Sequence, residues 1–226
     1  MASATPSAER VPAPTLDELT FADPPAPWRA AGFEVDGEGI VEVGSVRIRL
    51  AGEGAGRGIV EVSARDLVAE QPDGLPLAAS ERPAHEPRTG AHRNGVVALD
   101  HLVAFTPSLE RTIAALESAG LELRRLREEP TPAGAPRQAF FRLAEVILEV
   151  IQTPPGSREE RDPDSPARFW GLAFQVVDLG ATAEQLGELV GEPRDAVQPV
   201  RRIATLRREA GIGVAVAFMS PAPARA

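Results

Sequence analysis

The chain has 226 residues, 43% of them hydrophobic and 25% charged, which suits one large soluble domain or two small ones. Its formal net charge is −9, so the basic face that nucleic acid requires is disfavoured. Every basic residue is arginine and cysteine is absent, which excludes lysine Schiff bases, disulfides, thiol nucleophiles and thiolate-bound metals.

Residues 1–14 are rich in Ala, Ser and Pro and read as a disordered tail without the apolar core of a secretory signal. No apolar run has the length of a membrane-spanning helix, so a cytoplasmic protein without membrane contact is expected. Residues 15–70 form an N-terminal part, with strand-like runs at 40–52 (IVEVGSVRIRLAG) and 59–67 (IVEVSARDL). The glycine-rich run 52–58 between them leads into a strand rather than a helix. It therefore reads as a hairpin connection, not a phosphate loop.

Residues 71–95 are rich in Pro, Gly and charge and read as a linker, with His85 and His92 expected in solvent. Residues 96–105 (VVALDHLVAF) form a β-branched strand. A helix follows, with Thr106 as N-cap, Pro107 at the first turn and Gly120 as the stop. Strands are expected at 121–127, 138–143 and 146–152, the last two around a tight turn at Ala144-Glu145. The same order then recurs: a strand at 169–177, a helix capped by Asp178, and strands at 196–200, 202–207 and 214–219. At an offset of 70, Leu109 falls on Leu179, Leu116 on Leu186, and His101 on Gly171. The N-terminal part echoes this unit: LDEL at 16–19 matches LDHL at 99–102, AGFE at 31–34 matches AGLE at 119–122, and 40–52 matches 140–152 in apolar pattern. The run 59–67 then reads as the first strand of a further, truncated unit.

The repeated β-α-β-β-β unit, with ALDHLVAFTPSLERTIAALESAGLEL followed by RQAFFRLAEVILEVIQTP, resembles the vicinal oxygen chelate superfamily, in particular its glyoxalase-like and bleomycin-resistance-like members. The resemblance implies an α+β fold of tandem βαβββ modules curved into an incomplete barrel. A degenerate module would span 15–70, and a glyoxalase-like domain would span 96–221, built from modules 96–154 and 167–221. It also implies a divalent metal (Ni, Zn, Mn or Fe) held by side chains of the first and fourth strands. Carried over residue by residue, the candidate metal-binding and catalytic residues are His101 and Glu149. Their second-module counterparts, Gly171 and Val216 or Ala217, cannot ligate, so the set is incomplete.

Glu149 shares a strand face with Ile147 and Ile151, where a carboxylate needs a partner or a metal. Glu18, at the N-terminal echo of His101, and Gln175 are possible further donors to the same cavity. Phe105, Gln138, Phe140, Arg142, Gln175 and Arg202 complete the expected binding pocket, the arginines being suited to forked recognition of carboxylate or phosphate. Trp170 either lines the cavity too or, since it alternates with Gly171, faces a helix. Three readings stay open. One is an enzyme of lyase, isomerase or dioxygenase type. Another is a non-catalytic protein that sequesters a small molecule. The third is a structural or regulatory protein in which the degenerate modules only assemble. The first two have a small-molecule partner, and a homodimer would cover exposed sheet edges.

Overall fold

The computed structural model describes residues 12–84, 86–88, 91–131, 134, 136–154, 156 and 162–222. Burial alternates strictly along β3 (Val46–Leu50), whereas β1 (Thr15–Phe21) is buried over most of its length; the two strands set Leu19 and Ile48 on one face and Glu18 and Arg47 on the other. Helix α1 (Pro25–Ala30) follows β1, with proline in its first turn. β2 (Ile40–Val43) pairs antiparallel with β3, and β3 pairs parallel with β1. β4 (Ile59–Arg65) flanks the other side of β1 antiparallel, and β5 (Leu77–Ala79) joins it parallel. The five-stranded sheet runs β2-β3-β1-β4-β5. Two expectations are corrected here. The run 52–58 is not a hairpin, because β3 and β4 lie on opposite sides of β1. The stretch expected as a linker contributes a strand, β5, together with a 3-10 turn at Pro72–Gly74.

The second sheet has eight strands, starting with β6 (Val96–Thr106). Helix α2 (Leu109–Ser118), β7 (Leu123–Arg127), β8 (Gln138–Leu143) and β9 (Val146–Gln152) complete one βαβββ unit. β10 (Arg168–Val176), α3 (Leu179–Leu186), β11 (Arg194–Asp195), β12 (Arg202–Thr205) and β13 (Ala215–Met219) complete the next. The order β11-β12-β13-β10-β6-β9-β8-β7 places the two first strands, β6 and β10, side by side at the centre, each followed outward by its own fourth, third and second strand. This is a mixed α+β architecture of two open sheets. Asp178 caps α3 as expected, accepting from the amides of Gly180 and Ala181. α2 starts later than expected: Ser108 is its N-cap residue, and the Thr106 hydroxyl accepts from the Ser108 amide. No strand forms at 196–200, and β11 is a two-residue edge just before it.

Both sheets bury one face in a single hydrophobic core. The Phe33 ring lies 5.0 Å from Trp28 and 5.0 Å from Phe174, so residues that follow β1 pack on the second sheet. The other faces, bearing Glu18 on β1 and His101 on β6, carry the polar groups. No helix of the described residues is long and apolar enough to cross a membrane.

Candidate functional site

β6 pairs His101 with Ala173 but Leu99 with Phe174, so Asp100 is an extra residue in the ladder. Such a bulge re-aims the inserted side chain. Asp100 Oδ1 lies 2.9 Å from His101 Nδ1, and Asp100 Oδ2 accepts from Arg201 Nη2 at 2.6 Å. Arg201 also donates to the Ser220 carbonyl, through Nε at 3.1 Å and Nη2 at 2.8 Å.

The parallel pairing of β6 with β9 sets His101 beside Ile147 and Val103 beside Glu149. His101 and Glu149 are therefore diagonal neighbours, with Nε2 and Oε2 3.9 Å apart, too far for a direct hydrogen bond. β8 brings Phe140 beside Glu149 and Gln138 beside Ile151. Gln138 Nε2 donates to Glu149 Oε1, while Gln138 Oε1 is buried without a hydrogen-bond partner.

The two carboxylates are pushed in opposite directions. Burial raises the Glu149 carboxyl above the ordinary range, and the attraction of His101 and Arg127 and the Gln138 hydrogen bond only partly offset it. Burial also acts on Asp100, but hydrogen bonds from His101 and Arg201 outweigh it and hold Asp100 low. An ionised Asp100 only accepts, so the proton of a neutral His101 sits on Nδ1 and the lone pair of Nε2 is directed toward Glu149.

The second unit contributes space instead of donors. Its register pairs Gly171 with Ala215 and Ala173 with Ala217, which makes Ala217 the counterpart of Glu149. A Cβ built on Gly171 would fall 2.4 Å from the Ala215 carbonyl oxygen, so no side chain fits where the first unit carries its histidine.

The remaining candidates divide. Phe105 packs edge-on against Trp170 at 5.3 Å, because a second bulge, between Phe169 and Gly171, turns Trp170 toward Phe105. Phe140 is half-buried under the Arg125 guanidinium, 6.0 Å from its centre. Gln175 is half-buried between Ala98 and Met219. Arg142 is exposed at the hairpin and donates to the Ala144 carbonyl. Arg202 is exposed and donates to the Pro193 carbonyl at 2.6 Å; its neighbour Arg201 is the arginine that reaches the site. Glu18 belongs to the other sheet, with Arg49 Nε at 3.0 Å and Arg82 Nη2 at 2.8 Å, so it does not join His101. His92 is buried rather than solvated: Nδ1 accepts from the Glu34 amide at 3.1 Å, and Nε2 lies 2.8 Å from the Glu42 carbonyl oxygen. His85 lies outside the described residues. Asp100 and Arg201 escaped the sequence reading, although one signal was present. Strict alternation would place the Asp100 carboxylate with Leu102 and Ala104 on the buried face, and a bulge relieves that conflict.

No family model matches the chain, and no curated protein matches it. Among solved structures it is similar to a xylose isomerase-like TIM barrel/4-hydroxyphenylpyruvate dioxygenase fusion protein. That match has 12% identity and a TM-score of 0.59, over 96% of this chain and 51% of that one. It is also similar to methylmalonyl-CoA epimerase from Mycobacterium tuberculosis, at 21% identity and TM-score 0.47, over 57% of this chain and 91% of that one. A Streptomyces coelicolor methylmalonyl-CoA epimerase variant in complex with 2-nitronate-propionyl-CoA matches at 19% identity and TM-score 0.46, over 58% and 99% of the two chains. At 12% identity the likeness to the fusion protein speaks to the fold and not to the activity.

Proposed function

We propose that this chain, which has the tandem-module fold of the vicinal oxygen chelate superfamily, acts on a small oxygen-bearing molecule by proton transfer between His101 and Glu149. The observation that carries the reading is the 3.9 Å gap between His101 Nε2 and Glu149 Oε2, with His101 Nδ1 held by Asp100. His101 takes a proton through Nε2, and Asp100 steadies the imidazolium that forms. Glu149, whose burial favours its protonated form, returns a proton to another atom of the same ligand. One acid and one base facing a common guest are what an isomerase-type reaction needs.

His101 Nε2 and Glu149 Oε2, 3.9 Å apart, would hold a divalent metal, with the orphaned Gln138 Oε1 as the candidate third donor. Such a metal would supply Lewis-acid polarisation of the ligand oxygen. Among the described residues no cluster of three His, Asp or Glu offers an alternative site. The second reading, sequestration without chemistry, is favoured by one specific observation: Gly171 and Ala217 stand where a complete module pair would carry donors.

The test follows small oxo acids and hydroxy ketones in D2O by proton NMR, alongside thermal melts with the same compounds. Exchange of a carbon-bound proton catalysed by the wild type, and lost in His101→Ala and Glu149→Gln, supports proton transfer. Stabilisation by a compound without exchange, lost in the same variants, supports sequestration and rejects proton transfer. Neither effect with any compound overturns both.

A further inference from the structure

The sheets leave a cleft of about 1030 Å3 where the starts of β4, β10 and β13 meet, and its walls include neither His101 nor Glu149. Arg57, Arg168, Arg207 and Arg208 line it, and among the described residues no aspartate or glutamate does. Most arginines that this acidic chain uses structurally have found carboxylates: Arg49, Arg65, Arg82, Arg111, Arg137 and Arg201 are all in ion pairs. Arg57, Arg207 and Arg208 pair with no carboxylate of the described residues. Guanidinium groups gathered in one concavity repel each other and raise the local potential, and a bound anion relieves both effects.

The cleft also has an apolar wall. Trp170 is 43% exposed, and Phe169, Ile212 and Val214 line the same cavity. An indole open to a concave surface offers a flat face for stacking. The walls are seated closely. A Cβ on Gly74 would come 2.5 Å from Pro166, and one on Gly58 would come 3.2 Å from Val214, so the turns beside β4 and β5 abut the second sheet directly.

We propose that this cleft is a second binding site, for a small molecule that carries a phosphate or carboxylate on an aromatic body. Arg57, Arg207 and Arg208 hold the anionic group in forked hydrogen bonds, and Trp170 stacks on the ring. The site is independent of the proton-transfer reading above.

Titration with phenyl phosphate and with benzoate tests it, followed by calorimetry and by tryptophan fluorescence. Trp28 is fully buried in the core, so a ligand-dependent change reports Trp170. Saturable binding of either probe at one site per chain is expected, weakening as salt rises. It should weaken at least tenfold in the Arg207→Gln/Arg208→Gln double variant and stay unchanged in His101→Ala. The fluorescence response should be lost in Trp170→Phe. The stronger of the two probes assigns phosphate or carboxylate. Absence of saturable binding by both probes overturns the proposal. So does binding that survives unchanged in the double arginine variant, or binding abolished by His101→Ala.

Discussion

At Glu149 burial outweighs partnership. Its carboxyl is raised above 4.5 by burial, so the fold favours the protonated form. The associated stability is fully present below that value and is lost as pH rises through the folded-state pKa. Glu149→Gln removes the group that must charge. The variant should melt higher than the wild type at pH 7 and nearly level with it at pH 4, in paired thermal scans. A variant that melts lower at pH 7 would mean that attraction to His101 and Arg127 outweighs burial. Asp100 has the opposite sign: it is held below 3.8, and its contribution is lost only as pH falls through that lowered value. The position of Glu149 was legible as a charge on an apolar strand face. The role of Asp100 was not, because alternation alone does not reveal a bulge.

Among the elements, α2 is anchored by a residue far from it in sequence. Asp73, in the 3-10 turn before β5, adopts φ +50° and accepts from Arg111 Nε at 2.6 Å and from the Thr112 hydroxyl. Arg111 reaches on to the carbonyls of Pro163 and Ser165, and the Ala167 amide donates to the Asp73 carbonyl. One short turn thus ties α2 and the approach to β10 to the N-terminal sheet. Asp73→Ala should cost about 2 kcal/mol in urea unfolding, the usual worth of charge-assisted hydrogen bonds. A loss within about 0.5 kcal/mol would mean that packing alone seats α2. The strands β8 and β9 were legible to the residue, because each is a short, mainly apolar run and the turn between them is tight. The anchoring turn was hidden in a stretch whose proline and glycine read as a connection, and only pairing with β4 makes β5 a strand.

For the whole molecule, the decisive contact is between the sheets. Trp28 and Phe33 pack on Phe174, and Phe33 also stacks near Phe218; Trp28, Phe174 and Phe218 are fully buried. A fragment of residues 96–222 would expose Phe174 and Phe218 as an apolar patch. It should aggregate, or melt without a cooperative transition, in size-exclusion and near-ultraviolet dichroism experiments. A monomeric fragment with a sharp melt would show instead that the second sheet folds alone. The repeat also extends across both sheets. β1 pairs Glu18 with Arg47 just as β6 pairs His101 with Ile147, and Arg49 stands at the counterpart of Glu149. The same diagonal pair is closed by an ion pair in one sheet, at 3.0 Å, and left open at 3.9 Å in the other.

The sequence by itself determined the repeated unit, the two strands that carry His101 and Glu149, and the loss of donors from the second unit, because periodicity and residue chemistry are local properties. Tertiary structure alone decided that Asp100 and Arg201 steady His101, that Glu18 is engaged elsewhere, and that four arginines meet in a cleft. Those outcomes depend on bulges, on register and on which sheet faces inward, and these are settled only when distant segments compete for the same buried space.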